Sequence, residues 1–189
     1  DLVYVVTKPH AIKELMQLSG KTKFNINNVM IVGGSRVGKL TAKRLESDLN
    51  IKLIEIDKKR CAELANFLSD TLIINADARN VDLLEDEGIK DMDAFIAMTD
   101  NTETNILTCL QAKSFGVKRT IAMVENIDYI DISQNIGIDT IINKKLIAAS
   151  YMVRYTLGGN VSSLKCLSGI DADIVEFVVR DGATVTSKP

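Results

Sequence analysis

Six short apolar runs punctuate residues 29–142 in a regular order: VMIV, IKLIEI, TLII, DAFIAM, RTIAMV and IDTII. Each is followed by a stretch with helical spacing. A run that is apolar at successive rather than alternate positions reads as a strand buried on both faces, and such strands belong to a parallel sheet with helices on either side. Between the first two runs Val37, Leu40, Thr41, Leu45 and Leu49 recur at helical spacing, as do Cys61, Leu64, Ala65 and Leu68 between the second and third. Five or six βα units fit this span. With right-handed crossovers the expected fold class is α/β, a doubly wound parallel Rossmann-like sheet.

The flanks break the rhythm. In front, LVYVVTKP reads as a strand and HAIKELMQLSG as a short helix carrying Ile12, Leu15 and Met16 and ending at Gly20; KTKFNINN reads as a polar linker. Behind, NKKLIAASYMVRYTLGG reads as a helix with Leu146, Ile147, Ser150, Met152, Val153 and Leu157, closed by Gly158 and Gly159. The strand DIVEFVV and a turn at RDG follow. A strand and a helix alone make no core, so both ends are expected to be pieces of neighbouring domains.

Composition removes several functions. With 23 basic against 25 acidic residues the net charge is −2, which gives no basic field for nucleic acid. No apolar run approaches the roughly 20 residues of a membrane span, and DLVYVVTKPH lacks the basic region and apolar core of a signal peptide. A cytoplasmic location is expected. Cys61, Cys109 and Cys166 form no Cys-x-x-Cys pair and His10 is the sole histidine, so neither a metal site nor a disulfide framework is expected. Each cysteine reads as a small buried hydrophobe.

The stretch VMIVGGSRVGKL joins the first strand to the first helix through a glycine turn. In the G-x-G-x-x-G fingerprint of dinucleotide-binding turns the glycines map to Gly33, Ser35 and Gly38, with serine where backbone would approach phosphate most closely. The backbone amides and positive dipole of the following helix favour an anion there, and the Ser35 hydroxyl can donate to one of its oxygens. The strand IKLIEID ends at Asp57, 19 positions after Gly38, where a carboxylate can accept from ribose hydroxyls and repel a 2′-phosphate. Lys58, Lys59 and Arg60 follow at once; they either soften that exclusion or form an ordinary solvated helix start.

A triphosphate-binding P-loop is the rival, because GGSRVGKL matches G-x-x-x-x-G-K as far as Lys39. The motif then requires Ser or Thr as a magnesium ligand, and Leu40 cannot coordinate; Thr41 is one place late. A dehydrogenase is the other rival and needs a proton donor near the nicotinamide. His10 precedes the first strand of the sheet, and the Tyr4/Lys8 pair lies on a flanking strand. Glu85, Asp86 and Glu87 read as a solvated helix face. At the ligand-binding edge of such a sheet, Asp77 follows the third strand, and Thr99, Asp100, Asn101 and Glu103 follow the fourth. Asp77 reads equally as ligand contact or helix cap, and Thr102 as a helix cap.

The segments MIVGGSRVGKLTAKRLE, IKLIEIDKKRCAELA, the run from LIINADARN through MTDNTETNILTCLQAKSFGVKRTIAMVEN, and IGIDTIINKKLIAASYMVRYTLGGNVSSL together resemble the regulator-of-potassium-conductance (RCK, or KTN) domain, and within it the TrkA family. NADARN, MTDNTETNIL and the long helix after the sixth strand are the most specific parts. The resemblance implies a division into residues 1–20 as the tail of a preceding C-terminal domain, 21–28 as linker, 29–142 as a second nucleotide-binding domain, 143–164 as a crossover and linking helix, and 165–189 as the start of a second C-terminal domain.

It also implies regulation without turnover: binding of NAD(H) or of ATP/ADP, assembly as a homodimer or higher oligomer, and control of a TrkH-type membrane potassium transporter or channel subunit from the cytoplasmic face. Carried over by position, Gly33, Gly34, Ser35, Arg36, Val37 and Gly38 cradle phosphates, with Arg36 as the charged contact. Asp57, with Lys58 beside it, holds ribose; Asp77 and Ala78 lie beside adenine; Thr99 and Asp100 line the crevice. Ser35 stands where the family usually has glycine. The apolar residues of the 143–157 helix suit either dimerisation or packing within the chain, which leaves a non-binding scaffold as an alternative beside a Rossmann-type oxidoreductase.

Overall fold

The computed structural model describes residues 5, 7–18, 25–156, 161–166, 173–179 and 182–183. After a 3-10 turn at Pro9–Ala11 and α1 (Ile12–Leu18), the alternating region unfolds as expected. The elements are β1 (Asn28–Val32), α2 (Arg36–Leu45), β2 (Asn50–Glu55), α3 (Lys58–Phe67), β3 (Thr71–Asn75), α4 (Val81–Asp86), β4 (Ala94–Ala97), α5 (Thr102–Ser114), β5 (Arg119–Met123), α6 (Asp128–Asn135), β6 (Thr140–Ile142) and α7 (Lys144–Thr156). The six strands make one parallel sheet in the order β3-β2-β1-β4-β5-β6. Winding reverses between β1 and β4, so the C-terminal ends of these strands diverge into a crevice.

The unbroken apolar runs follow from having a core on each face. Val29 and Ile31 of β1 point to one face, with Leu53, Ala94 and Ile96, beneath Ala42 of α2 and Leu64 of α3. Met30 and Val32 point to the other, with Ile54, Phe95 and Ala97, beneath Leu84 of α4 and Cys109 and Ala112 of α5. Each strand therefore needs apolar side chains at successive positions. Cys61 and Cys109 are buried as expected, while the side chain of Cys166 lies outside the described residues. Among the described residues no helix is long and apolar enough to cross a membrane.

One buried carboxylate ties the α2 side of this layer together. Glu46, at the end of α2, accepts from the backbone N–H of Ser69 and Asp70 at 3.1 Å each and from the Thr71 hydroxyl at 2.9 Å, and pairs with Lys43 at 2.7 Å. Burial pushes its pKa up, but the Lys43 ammonium and these donors outweigh burial and hold it down to about 2. A carboxyl depressed in the folded state stabilises the fold above its unfolded pKa and loses that contribution as pH falls through the folded value. Denaturant unfolding at pH 7 and at pH 3 is therefore expected to show a stability loss that Glu46→Gln reduces by the part Glu46 contributes, the rest coming from other depressed carboxyls such as Asp93 and Asp139. At pH 7 the variant is less stable than wild type by about 2 kcal/mol, the scale of losing charge-assisted hydrogen bonds. Equal acid sensitivity in the two proteins would contradict this role.

The flanks differ from expectation in two places. Helix α7 ends at Thr156 among the described residues, and Val161–Cys166 is a strand, β7, paired antiparallel with β8 (Asp173–Phe177). The strand at Val161–Cys166 was not expected from the sequence. Residues 2–4 and 6 of the expected strand LVYVVTKP, residues 21–24 of the linker, Leu157 and most of the RDG turn lie outside the described residues; the described Val5, Thr7 and Lys8 are not in a strand, and Pro9 opens the 3-10 turn.

Candidate functional site

Register sets which residues leave the sheet together at the crevice. Val32 lies beside Ile54 on β2 and Ala97 on β4, so the next residues along, Gly33, Glu55 and Met98, share one row at the sheet edge. Gly33 turns the chain with φ +100, and a Cβ there would sit 2.8 Å from the Met98 carbonyl oxygen. At Gly38, in the first turn of α2, a Cβ would lie 2.0 Å from the Gly33 carbonyl oxygen. Helix, turn and neighbouring strand therefore approach at backbone distance, which is the role of the first and third fingerprint glycines.

Ser35 fits the middle position without strain. Its φ of −58° is open to any residue, and it caps α2. Its Oγ accepts from the Gly38 N–H at 3.5 Å and donates to the Met98 carbonyl at 3.3 Å, so the hydroxyl is turned into the fold. The backbone N–H groups of Arg36 and Val37 belong to the first helical turn, where no intrahelical acceptor exists. With the helix dipole they form a cradle suited to phosphate. The triphosphate reading loses on geometry as well, since Leu40 is 55% exposed and the Thr41 hydroxyl meets the Met98 sulfur.

A cavity of about 270 Å³ opens over this row. It is lined by Gly33 and Ser35 from the turn, Glu55, Ile56 and Arg60 beyond β2, Asp77, Ala78 and Arg79 beyond β3, and Thr99, Asp100, Asn101 and Thr104 beyond β4. A second hollow of about 370 Å³ lies between the starts of α2 and α3, where Gly34, Arg36, Lys39, Arg60 and Asp100 meet. Of the residues singled out from sequence, Gly33, Ser35, Asp77, Ala78, Thr99 and Asp100 line the first, and Gly34, Ser35, Arg36 and Asp100 the second. Gly38 lies behind the turn as packing, and Val37 and Lys58 line neither.

Asp57 is placed differently from the expectation. Its carboxylate caps α3, accepting from the N–H of Lys59 and Arg60 at 2.8 and 3.1 Å, and does not line either hollow. The carboxylate at the strand end is Glu55, whose side chain is 4% exposed. One oxygen accepts from the Gly34 N–H at 2.7 Å and lies 3.4 Å from Arg60 Nη1; the other accepts from the Asp57 N–H at 2.8 Å. β2 stops at Glu55 because the next side chain, Ile56, turns outward and Asp57 is taken up by the helix start. The sequence signal was available: Glu55 directly follows the apolar IKLI core of the strand.

The β4 edge is held by a residue that pattern reading missed. Asn105 is 1% exposed inside α5. Its Oδ1 accepts from the Thr99 N–H at 2.9 Å and the Thr99 hydroxyl at 2.7 Å, while its Nδ2 donates to the carbonyls of Thr99 and Met123 at 3.0 and 2.8 Å. A lone amide on the apolar face of ETNILTCLQA was the available sign. Of the candidate caps, Thr102 gives way to its neighbour Asn101 on α5, and α4 is capped by Asn80, which leaves Asp77 with its alternative reading. Thr102 instead accepts from the Glu125 N–H at 3.2 Å.

Asp77 is thereby free of capping and is gripped by Arg79. The Arg79 guanidinium holds its carboxyl below the usual carboxylate range. His10 sits in the turn ahead of α1 and lines neither hollow.

Residues 29–144 match the model of the TrkA-N domain. The chain is similar over its full length to Trk system potassium uptake protein TrkA homolog 2 of Methanosarcina mazei, with 35% identity over 191 aligned residues covering 43% of that protein. It thus spans less than half the length of this curated relative. Among solved structures, the TrkA-N domain of the inner membrane protein ybaL from Escherichia coli superposes with a TM-score of 0.62 at 20% identity, over 69% of this chain and 97% of the other. The GsuK channel bound to NAD gives 0.62 at 14% identity over 76% and 26% of the two chains, and the same channel bound to ADP gives 0.59 at 19% identity over 78% and 42%. These likenesses establish a shared fold.

Proposed function

The chain belongs to the TrkA-N domain family, and from that premise we propose that it is a regulatory module of a Trk-type potassium-uptake system, binding the adenosine half of NAD(H) or of ATP/ADP at the β1–β2–β4 edge. The observation that carries this reading is the convergence at one sheet edge of a glycine turn closed at backbone distance, the start of α2 with the adjoining hollow that Arg36 lines, and the buried Glu55 carboxylate. In this reading the cradle of Gly33 to Val37 takes phosphate, with Arg36 beside it. Glu55, rather than Asp57, takes the ribose hydroxyls, and its fixed negative charge opposes a 2′-phosphate. Asp77 and Ala78 border the base, and Thr99 and Asp100 border the remainder of the ligand.

Regulation rather than hydride transfer is favoured because, among the described residues, the cavity is lined by carboxylates held in ion pairs or open to solvent and by no histidine, lysine or tyrosine. Assembly through α7 is part of the proposal: Ile147 and Met152 stand 45% and 68% exposed on that helix. Control would then pass from the nucleotide site to a TrkH-type membrane subunit held on the cytoplasmic side.

The test uses the full-length protein with its membrane partner reconstituted in vesicles. Potassium flux is expected to change on adding NADH or an adenine nucleotide, with no steady consumption of either, and Glu55→Gln should abolish the response. Flux indifferent to every nucleotide, or steady NADH oxidation, would overturn the reading.

A further inference from the structure

The Asp77–Arg79 pair has a geometry that nucleotide binding in general does not require. Arg79 donates its backbone N–H to Asp77 Oδ1 at 2.9 Å. Its Nε lies 3.0 and 3.1 Å from the two carboxylate oxygens, and Nη2 lies 2.6 Å from Oδ2. The guanidinium thus lies edge-on along the carboxylate as a planar fork. Both residues line the cavity just beyond β3, beside Ala76 and Ala78 and across from Ile56. Arg79 is not a helix residue and Asp77 caps none, since Asn80 takes that task. Among the described residues Nη1 has no hydrogen-bond partner.

Resting on the reading that this cavity holds a nucleotide base, we propose that Arg79 is the specificity-determining residue that makes the site select adenine over guanine. A bare carboxylate with both oxygens open is the natural partner of guanine, whose N1–H and N2–H donors point the same way. With Arg79 laid along it, Asp77 no longer offers two open acceptors. The pair instead presents one acceptor beside one donor, Asp77 Oδ2 next to the remaining N–H of Arg79 Nη2, 2.6 Å away. Adenine carries the complement, the N6 amine as donor next to a ring nitrogen as acceptor. Guanine presents the O6 acceptor to the carboxylate or leaves one of its two donors without a partner, and unpaired polar groups in a site are what generate large discrimination. Arg79 supplies this as a rigid fork, which lysine cannot imitate.

The experiment titrates ADP and GDP against wild type, Arg79→Ala and Arg79→Lys, with a thermal melt of each to confirm folding. Wild type is expected to favour ADP by roughly tenfold or more, the scale of one well-formed bidentate base contact. Arg79→Ala should weaken ADP and strengthen GDP, bringing the ratio towards one, and Arg79→Lys should do the same despite keeping the charge. Binding of ADP with an ADP-to-GDP ratio unchanged in Arg79→Ala would overturn the assignment while leaving the nucleotide site intact. A ratio kept by Arg79→Lys alone would overturn the fork geometry in favour of simple charge. Wild-type protein that binds neither nucleotide would overturn both this inference and the reading beneath it.

Discussion

Gly38→Ala is expected to cost the domain about 3 kcal/mol or more, with loss of the nucleotide-binding turn, although the same change in an ordinary helix interior gains up to about 1 kcal/mol. The reversal comes from a single contact. The added Cβ would lie 2.0 Å from the carbonyl oxygen of Gly33, which is backbone and cannot rotate away as a side-chain tip can. Relief requires α2 to lift from the sheet, and α2 carries Ala42 into the core beside Ile31 and Leu53. Lifting the helix also drags the Ser35 cap away from Met98. Urea denaturation of the variant should show a midpoint far below wild type at unchanged slope. A midpoint equal to or above wild type would mean that the helix and turn do not meet at backbone distance.

The second large effect is expected at Asn105. Its side chain makes four hydrogen bonds, three to Thr99 and one to the Met123 carbonyl, and so fastens the β4 exit to the end of β5. Asn105→Ala removes the partner of the part-buried Thr99 N–H and of the buried Met123 carbonyl and leaves a cavity in α5, which together cost about 3 kcal/mol. Asn105→Asp keeps one acceptor but replaces two donated bonds with a buried charge facing two carbonyls, so it should do no better. Asn105→Leu separates volume from hydrogen bonding: it fills the space and is still expected to fail. Equilibrium unfolding of the three variants checks this, and a loss below 1 kcal/mol for all of them would remove the fastening role. Because Thr99 and Asp100 border the cavity, nucleotide affinity should fall with stability in each variant.

Much of the architecture was legible because one physical demand wrote it into the sequence. A strand covered on both faces must be apolar at successive positions, which the central strands β1 and β4 meet fully and the others in part, the edge strand β3 being only half covered. The turn was legible for a similar reason, since only glycine fits at Gly33 and Gly38. The acid at the site was less so. Counting from Gly38 leads to Asp57, whereas the strand ends at Glu55 because pairing with β1 puts Ile54 beside Val32 and leaves Glu55 next to Gly34. Register is a tertiary property that spacing within one segment does not encode. Asn105 escaped because a polar residue within an apolar helical face reads as an interruption until its partners on two strands are seen. Asn101 caps α5 in place of Thr102, and Asn80 caps α4, so of the two readings open for Asp77 the cap is ruled out and its carboxylate pairs with Arg79.

Ser35 illustrates the limit of a motif. Its departure from glycine suggests a weakened phosphate site, yet its backbone angle suits any residue and its hydroxyl serves the helix start. The groups proposed to meet phosphate are backbone N–H groups, which a serine supplies as well as a glycine. The cationic residues near the turn, Arg36, Lys39 and Arg60, converge instead on the adjoining hollow. Arg60 borders both hollows and faces Glu55, so it balances the one buried negative charge at the site.

The central claim, that this edge of the sheet is a nucleotide site governed by Glu55, is tested most directly by calorimetric titration of NADH, NADPH and ADP into wild type and Glu55→Gln. Glutamine can still accept from the Gly34 N–H with its one oxygen, but its NH2 then faces the Asp57 N–H, so a thermal melt of the variant accompanies the titration to separate loss of fold from loss of the charge offered to ribose. Wild type is expected to bind NADH and ADP, with NADPH roughly tenfold weaker or worse, and Glu55→Gln to bind NADH and ADP about 10- to 100-fold more weakly, the range of a hydrogen bond to a charged group. Absence of binding by wild type, or equal affinity in the two proteins, would contradict it.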